Sequence, residues 1–185
     1  MAGPAIDDTM QGEKRVAWTG GTQPSDVLEK IVGYLSAVNV VDFDSARTDE
    51  LVRLWRESFE FGVGVVDPHP IDDQRDYFVN TVVPNNAVRM AVLDDQLVGF
   101  IAATKESIAH LYVRVGHHHC GIGTMPLAWA QAQSTGKLWL HAFARNATAR
   151  AFYEKHGFVI VARGFEPTWQ LDDIKYEWAA QHVSV

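Results

Sequence analysis

The stretch VRVGHHHCGIGT, Val113 to Thr124, closes one apolar run and opens a helical pattern, and its reading decides the fold. Three successive histidines, His117, His118 and His119, followed by Cys120, suggest a metal site. Gly121-Ile122-Gly123 suggests instead a loop that cradles an anion. Glycines let a ligand approach the backbone closely. The N–H groups and positive dipole end of a helix start attract phosphate. Adjacent histidines point away from one another, whereas zinc ligands come in spaced pairs, and the sequence offers no second such pair. The anion reading is therefore preferred and no metal is expected. The dinucleotide fingerprint is excluded, because its third glycine is missing.

A second stretch, NATARAFYEKHGF, runs from Asn146 to Phe158. Asn146 is placed to cap a helix by accepting a first-turn N–H. Gly157 stands where that helix must stop in the left-handed conformation. Ala149 and Tyr153 are four apart and share a face, with Phe152 beside them. A capped amphipathic helix with a packed tyrosine would account for all of this.

Outward from these two stretches the pattern alternates. Residues 24–37 read as a helix, and 38–43 as a strand. A helix capped by Ser45 or Thr48 follows, with Leu51, Leu54, Trp55 and Phe59 on one stripe. FGVGVVDPHP is a loop, and IDDQRDYFVNTVV a helix closed by Pro84. AVRMAVLDDQLVGFIAAT is a hairpin turning at Asp94-Asp95, and 107–115 a third strand of that group. GIGTMPLAWAQAQ is a helix that tolerates Pro126 in its first turn. KLWLHAF, FVIVARGF and DIKYEW are strands, the first two separated by the helix after Asn146. The order β-α-α-β-β-β-α-β-α-β-β predicts an α/β fold with one mixed central sheet of about seven strands flanked by helices.

Composition narrows the class. The chain has 185 residues, 47% of them apolar, enough for one domain with an appendage. Residues 1–37 read as a partly helical N-terminal extension, its first part an arm or a poorly ordered segment, and 38–185 as the domain. The single cysteine allows no internal disulfide, which suits a reducing, cytoplasmic setting. A formal net charge of −7 argues against nucleic acid as a partner. No apolar run is long enough to cross a membrane, and the N-terminus does not read as a secretory signal.

Together, and in this order, the two stretches resemble the GNAT superfamily of acyl-CoA-dependent N-acyltransferases over about residues 40–180. The family's phosphate loop, Gln/Arg-x-x-Gly-x-Gly/Ala after a strand ending Leu-Tyr-Val, is met by Leu111-Tyr112-Val113 and by His118 to Gly123. Its second pattern, Asn-x-x-Ala-x-x-x-Tyr-x-x-x-Gly-Phe, is met at Asn146, Ala149, Tyr153, Gly157 and Phe158. The resemblance implies a GNAT-like fold and transfer of an acyl group, most often acetyl, from CoA to an amine. The donor's pantetheine arm would pair with the backbone of Leu111, Tyr112 and Val113. The amides of His118, His119, Cys120, Gly121, Ile122, Gly123 and Thr124 would hold the pyrophosphate, and Asn146 would touch the CoA. Tyr153 would protonate the leaving thiolate, since a phenol with a pKa of about 10 keeps its proton at neutral pH. The partner would be a small-molecule or peptide amine, and a homodimer is compatible with the resemblance.

Three features depart from the family pattern. His118 replaces Gln or Arg, and His119 stands where many members carry glycine. Ser107 and Ala109 occupy the positions of the family's basic residue, and neither can accept a proton. The neighbours Glu106 and His110 alternate to the other face unless a bulge re-aims one. Glu106 is the preferred base, ahead of His141, Asp67 and His69. Two other classes compete with the enzyme: a silent acyl-CoA-binding or sensor protein of the same fold, and a metal-binding protein through His117 to Cys120.

Overall fold

A computed structural model describes Gly33 and residues 37–181. The helix expected over 24–37 therefore lies outside the described residues, apart from Gly33 and Ala37. Strand β1 (Val38–Asp42) leads through a 3₁₀ turn (Ser45–Arg47) into helix α1 (Thr48–Val63). The cap falls on Asp44, which accepts the Ala46 N–H at 2.9 Å. Neither Ser45 nor Thr48 caps: the 3₁₀ turn precedes the helix, and the Thr48 hydroxyl donates to Ser45 C=O. The predicted stripe of α1 is buried, with Leu51, Leu54, Trp55 and Phe59 all facing the core. Gly64, left-handed at φ 69°, ends it.

Helix α2 (Ile71–Tyr77) continues through a wide turn over Phe78–Val82 into Val83–Asn85. Pro84 does not close it at the preceding residue. Val83 N–H reaches five residues back to Phe78 C=O, so the backbone widens where Pro84 cannot donate.

Strands β2 (Ala87–Leu93), β3 (Gln96–Ala103) and β4 (Ile108–Val113) follow as an antiparallel series. The predicted hairpin turns at Asp94 and Asp95, both left-handed, at φ 47° and 63°. After β4 come α3 (Thr124–Gln133), β5 (Lys137–Phe143), α4 (Ala147–Lys155), β6 (Val159–Glu166) and β7 (Leu171–Ala179). The element order is the one read from the sequence.

The seven strands form two sheets, β1-β2-β3-β4 and β5-β7-β6. They meet at one parallel bridge, Ser107 beside Trp139, where Trp139 N–H donates to Glu106 C=O at 3.0 Å. Beyond that bridge β4 and β5 separate. Just past it, β4 carries a bulge: Ala103 pairs with Ile108 but Ala102 with His110, leaving Ala109 extra. A bulge bends its strand and increases local twist, which turns β4 away from β5. It also resets the alternation. Ile108 joins the apolar cluster under α3 and α4, while His110 faces α1 and lies 4.6 Å from the Trp55 ring. Helices α1 and α2 thus cover one face of the first sheet, and α3 and α4 pack on the other side.

Candidate active site

The gap between β4 and β5 opens into a groove of about 450 Å³. One wall is β4 at Leu111, Tyr112 and Val113, and the other is α4 from Asn146 to His156. The loop from His117 to Thr124 closes one end, and the last turns of α1 close the top through Ser58, Phe61 and Gly62.

The loop owes its shape to backbone that side chains resist. Gly116, His119 and Gly121 lie at φ 88°, 62° and 83°. His119 therefore adopts the left-handed conformation that glycine serves in the family pattern. Gly123 is closely enclosed: a Cβ there would stand 3.3 Å from Phe152 and 3.4 Å from Val113. Ile122 is buried and anchors the loop in the core. The Thr124 N–H is already bonded to Gly121 C=O at 3.0 Å, so the amides that face a ligand lie upstream of it.

Histidines line this end of the groove. His118 stacks on Phe61, with centroids 5.4 Å apart and planes 15° from parallel. Burial lowers its pKa, partly offset by a hydrogen bond to Val113 C=O, and the neighbouring His119 and His117 lower it further. His156 bridges the two helices: Nδ1 lies 2.7 Å from Phe152 C=O and Nε2 lies 3.1 Å from the Thr124 hydroxyl. The Nδ1 atom of His117 is buried without a hydrogen-bond partner. Among the described residues no three His, Cys, Asp or Glu side chains converge as a metal site.

On the opposite wall the helix signals read from the sequence are all present. Asn146 Oδ1 accepts the Ala149 N–H at 3.0 Å, and Gly157 is left-handed at φ 83°. Tyr153 is 7% exposed, set among Phe152, Phe158 and Tyr176, and still lines the groove. Burial raises its pKa well above that of a free phenol, and nearby Tyr112 adds to the shift. Tyr112 is pushed up to about 12, chiefly by burial; a hydrogen bond with Trp55 works against this and the charge of Asp67 works with it. Val113 C=O accepts the Ser58 hydroxyl at 2.9 Å, which ties α1 to the groove wall beside His118.

The groove gathers every site residue expected from the sequence except two. Cys120 is exposed and does not line it. Glu106, expected as the base, lies in the exposed turn between β3 and β4 and does not line it either. The Thr104 hydroxyl accepts the N–H groups of Glu106 and Ser107 at 3.1 and 3.0 Å, which holds that turn clear of the groove. His110 is re-aimed by the bulge, but burial lowers its pKa to about 4, so it is a poor proton acceptor. Ser58, Phe61, Gly62, Phe152 and His156 were not expected. Ser58, Phe61 and Gly62 reach the groove from α1 through tertiary packing, which leaves no local pattern, whereas Phe152 and His156 reach it from the helix that carries Tyr153.

A two-sheet α/β fold whose fourth and fifth strands splay beside a glycine loop is a GNAT-like fold. Residues 84–160 match the family model of the acetyltransferase (GNAT) domain. No curated protein matches the chain. Among solved structures, apo-form YjaB from Escherichia coli aligns with a TM-score of 0.64 at 20% identity, over 78% of this chain and 99% of that one. PaiA N-acetyltransferase from Thermoplasma acidophilum, in complex with coenzyme A, aligns at 0.62 and 17% identity, over 77% and 98%. YncA from Salmonella typhimurium, with its cofactor acetyl-CoA, aligns at 0.59 and 12% identity, over 80% and 97%. At these identities the likeness is one of fold. Among the described residues no helix is long and apolar enough to cross a membrane.

Proposed function

We propose that the protein transfers an acyl group, acetyl in the first instance, from acyl-CoA to the amine of a small molecule or peptide in a reducing, cytoplasmic compartment. The observation that carries this reading is the placement of Tyr153. It is a buried phenol facing a groove whose far end is a glycine loop opening a helix. The acyl donor is a substrate here. Its pantetheine lies along Leu111, Tyr112 and Val113, and its pyrophosphate sits at the loop around Gly121 and Gly123. Asn146 faces it across the groove.

In this reading the amine attacks the thioester carbonyl directly. The N–C bond forms, the C–S bond breaks, and Tyr153 donates its hydroxyl proton to the departing sulfur. A phenol whose pKa lies above the ordinary value keeps that proton throughout the neutral and mildly alkaline range. Cys120, exposed and outside the groove, carries no acyl group.

The test is thiol release from acetyl-CoA with a panel of amines, beside calorimetric binding of acetyl-CoA. Amine-dependent release supports the reading. Tight binding with no release for any amine supports the silent acyl-CoA-binding reading, which the absence of a proton acceptor at Ser107 and Ala109 keeps open.

A further inference from the structure

Directly past the bridge between Ser107 and Trp139, where β4 and β5 part, β5 presents His141. Its side chain lies on the α1 side of the second sheet: Phe143, the next residue on that face, packs against Phe59 of α1 with ring centroids 5.9 Å apart. His141 Nδ1 lies 2.6 Å from Asp173 Oδ2 on β7, a diagonal neighbour in the register. Asp173 is held in a gap on the third strand. A Cβ on Gly164 of β6 would stand 2.5 Å from Asp173 Oδ1, so only glycine leaves the carboxylate this place. One strand thus supplies an imidazole, the second a carboxylate and the third the space that carboxylate fills.

A carboxylate on Nδ1 fixes the imidazole tautomer. Nδ1 carries the hydrogen and Nε2 is left as the proton acceptor. The pair lies on the face of the second sheet away from α3 and α4, two residues past the bridge at which the splay opens; the His141 side chain is half exposed and does not line the groove itself. We infer that His141 is the group that takes the proton from the acceptor amine, with Asp173 and Gly164 as positioning residues. The inference rests on the acyltransferase reading above. In the step, the ammonium gives one proton to His141 Nε2 and its lone pair attacks the thioester carbon. The second amine proton is lost to solvent, the thiolate takes the Tyr153 proton, and solvent restores the phenol. One proton is released overall. The charged groups on this face of the sheet are Lys137 on β5, Glu166 on β6, and Asp173, Lys175 and Glu177 on β7. Lys175 lies opposite His141 in the register, 3.6 Å from Glu177 and 5.3 Å from the Trp139 ring centre.

The experiment compares wild type, His141→Gln, Asp173→Asn, Gly164→Ala and Tyr153→Phe by thiol release from pH 6 to 9, with melting curves and acetyl-CoA binding for each. His141→Gln should lose about a hundredfold in kcat/KM at neutral pH, with acetyl-CoA affinity unchanged. The loss should shrink as pH rises toward the amine's own pKa, and added imidazole should restore part of it in His141→Ala. Asp173→Asn should lose about tenfold or more through the wrong tautomer, and Gly164→Ala should lose several-fold without removing any charge. A structural role alone would move melting and leave the pH profile in place. An active wild type with His141→Gln unimpaired across this range overturns the inference. A wild type that binds acetyl-CoA and acetylates no amine overturns the reading beneath it.

Discussion

The side-chain amide of Asn146 occupies the space that a side chain on Gly62 would need: a Cβ there would stand 2.8 Å from Asn146 Nδ2. The last turn of α1 and the cap of α4 are therefore built against each other across the top of the groove. Gly62→Ala should push Asn146 from its bond to the Ala149 N–H. The expected cost is about 1 kcal/mol, the usual worth of a helix cap, and Asn146→Ala should cost a similar amount. Because both residues line the groove, acetyl-CoA affinity should fall as well. Urea unfolding and calorimetry read the two effects, and full stability in Gly62→Ala would contradict this packing.

The loop yields the next expectation. His119 holds φ 62°, a conformation that branched side chains resist most. His119→Val should destabilise by about 1 to 2 kcal/mol and weaken acetyl-CoA binding. His119→Gly should bind at least as well as wild type, since glycine adopts this conformation freely. Equal binding by the valine and glycine variants would show that the loop does not depend on this dihedral.

How much of this could be read beforehand depends on how local the cause is. Asn146, Gly157 and the Asp94-Asp95 turn were legible because caps and tight turns are decided by a few adjacent residues. Pro84 misled, because the missing N–H is accommodated by a widened turn that no hydrophobic period reveals. The single mixed sheet became two, because the bulge at Ala109 bends β4 within a strand-like run, Ile108 to Val113, that has no glycine or proline to mark it. The same bulge decides that His110 faces Trp55. The His141–Asp173–Gly164 cluster needs the register of three strands, and composition does not carry register. Phe61 and Gly62 reach the groove from a helix far upstream, for which no motif exists.

Tyr153→Phe separates a packing role from a chemical one. The ring and its contacts with Phe152, Phe158 and Tyr176 remain, so melting should change little. Turnover should fall about a hundredfold while acetyl-CoA still binds. Burial holds this phenol protonated above the ordinary range, so any alkaline fall in wild-type rate below pH 10 should not come from Tyr153. Retention of more than about half of the wild-type rate with a good acceptor would remove Tyr153 from the mechanism.

His110 should leave its mark on stability against pH. It is packed on Trp55 near Phe100 and Tyr112, and desolvation lowers its pKa from 6.5 to about 4. Between those values the unfolded chain binds a proton that the folded chain refuses. Stability therefore declines as pH falls below 6.5, and the loss is complete once pH passes below about 4. A shift of this size corresponds to roughly 3 kcal/mol across the window. Other groups, carboxylates above all, titrate in the same range, so the difference between two proteins is the informative quantity. His110→Phe keeps an aromatic ring against Trp55 and has no proton to bind. Its stability relative to wild type should rise by about 2 to 3 kcal/mol between pH 7 and pH 4.5, read from urea unfolding at half-unit steps. A constant difference across that range would mean that His110 reaches water in the folded protein and titrates as it does in the unfolded chain.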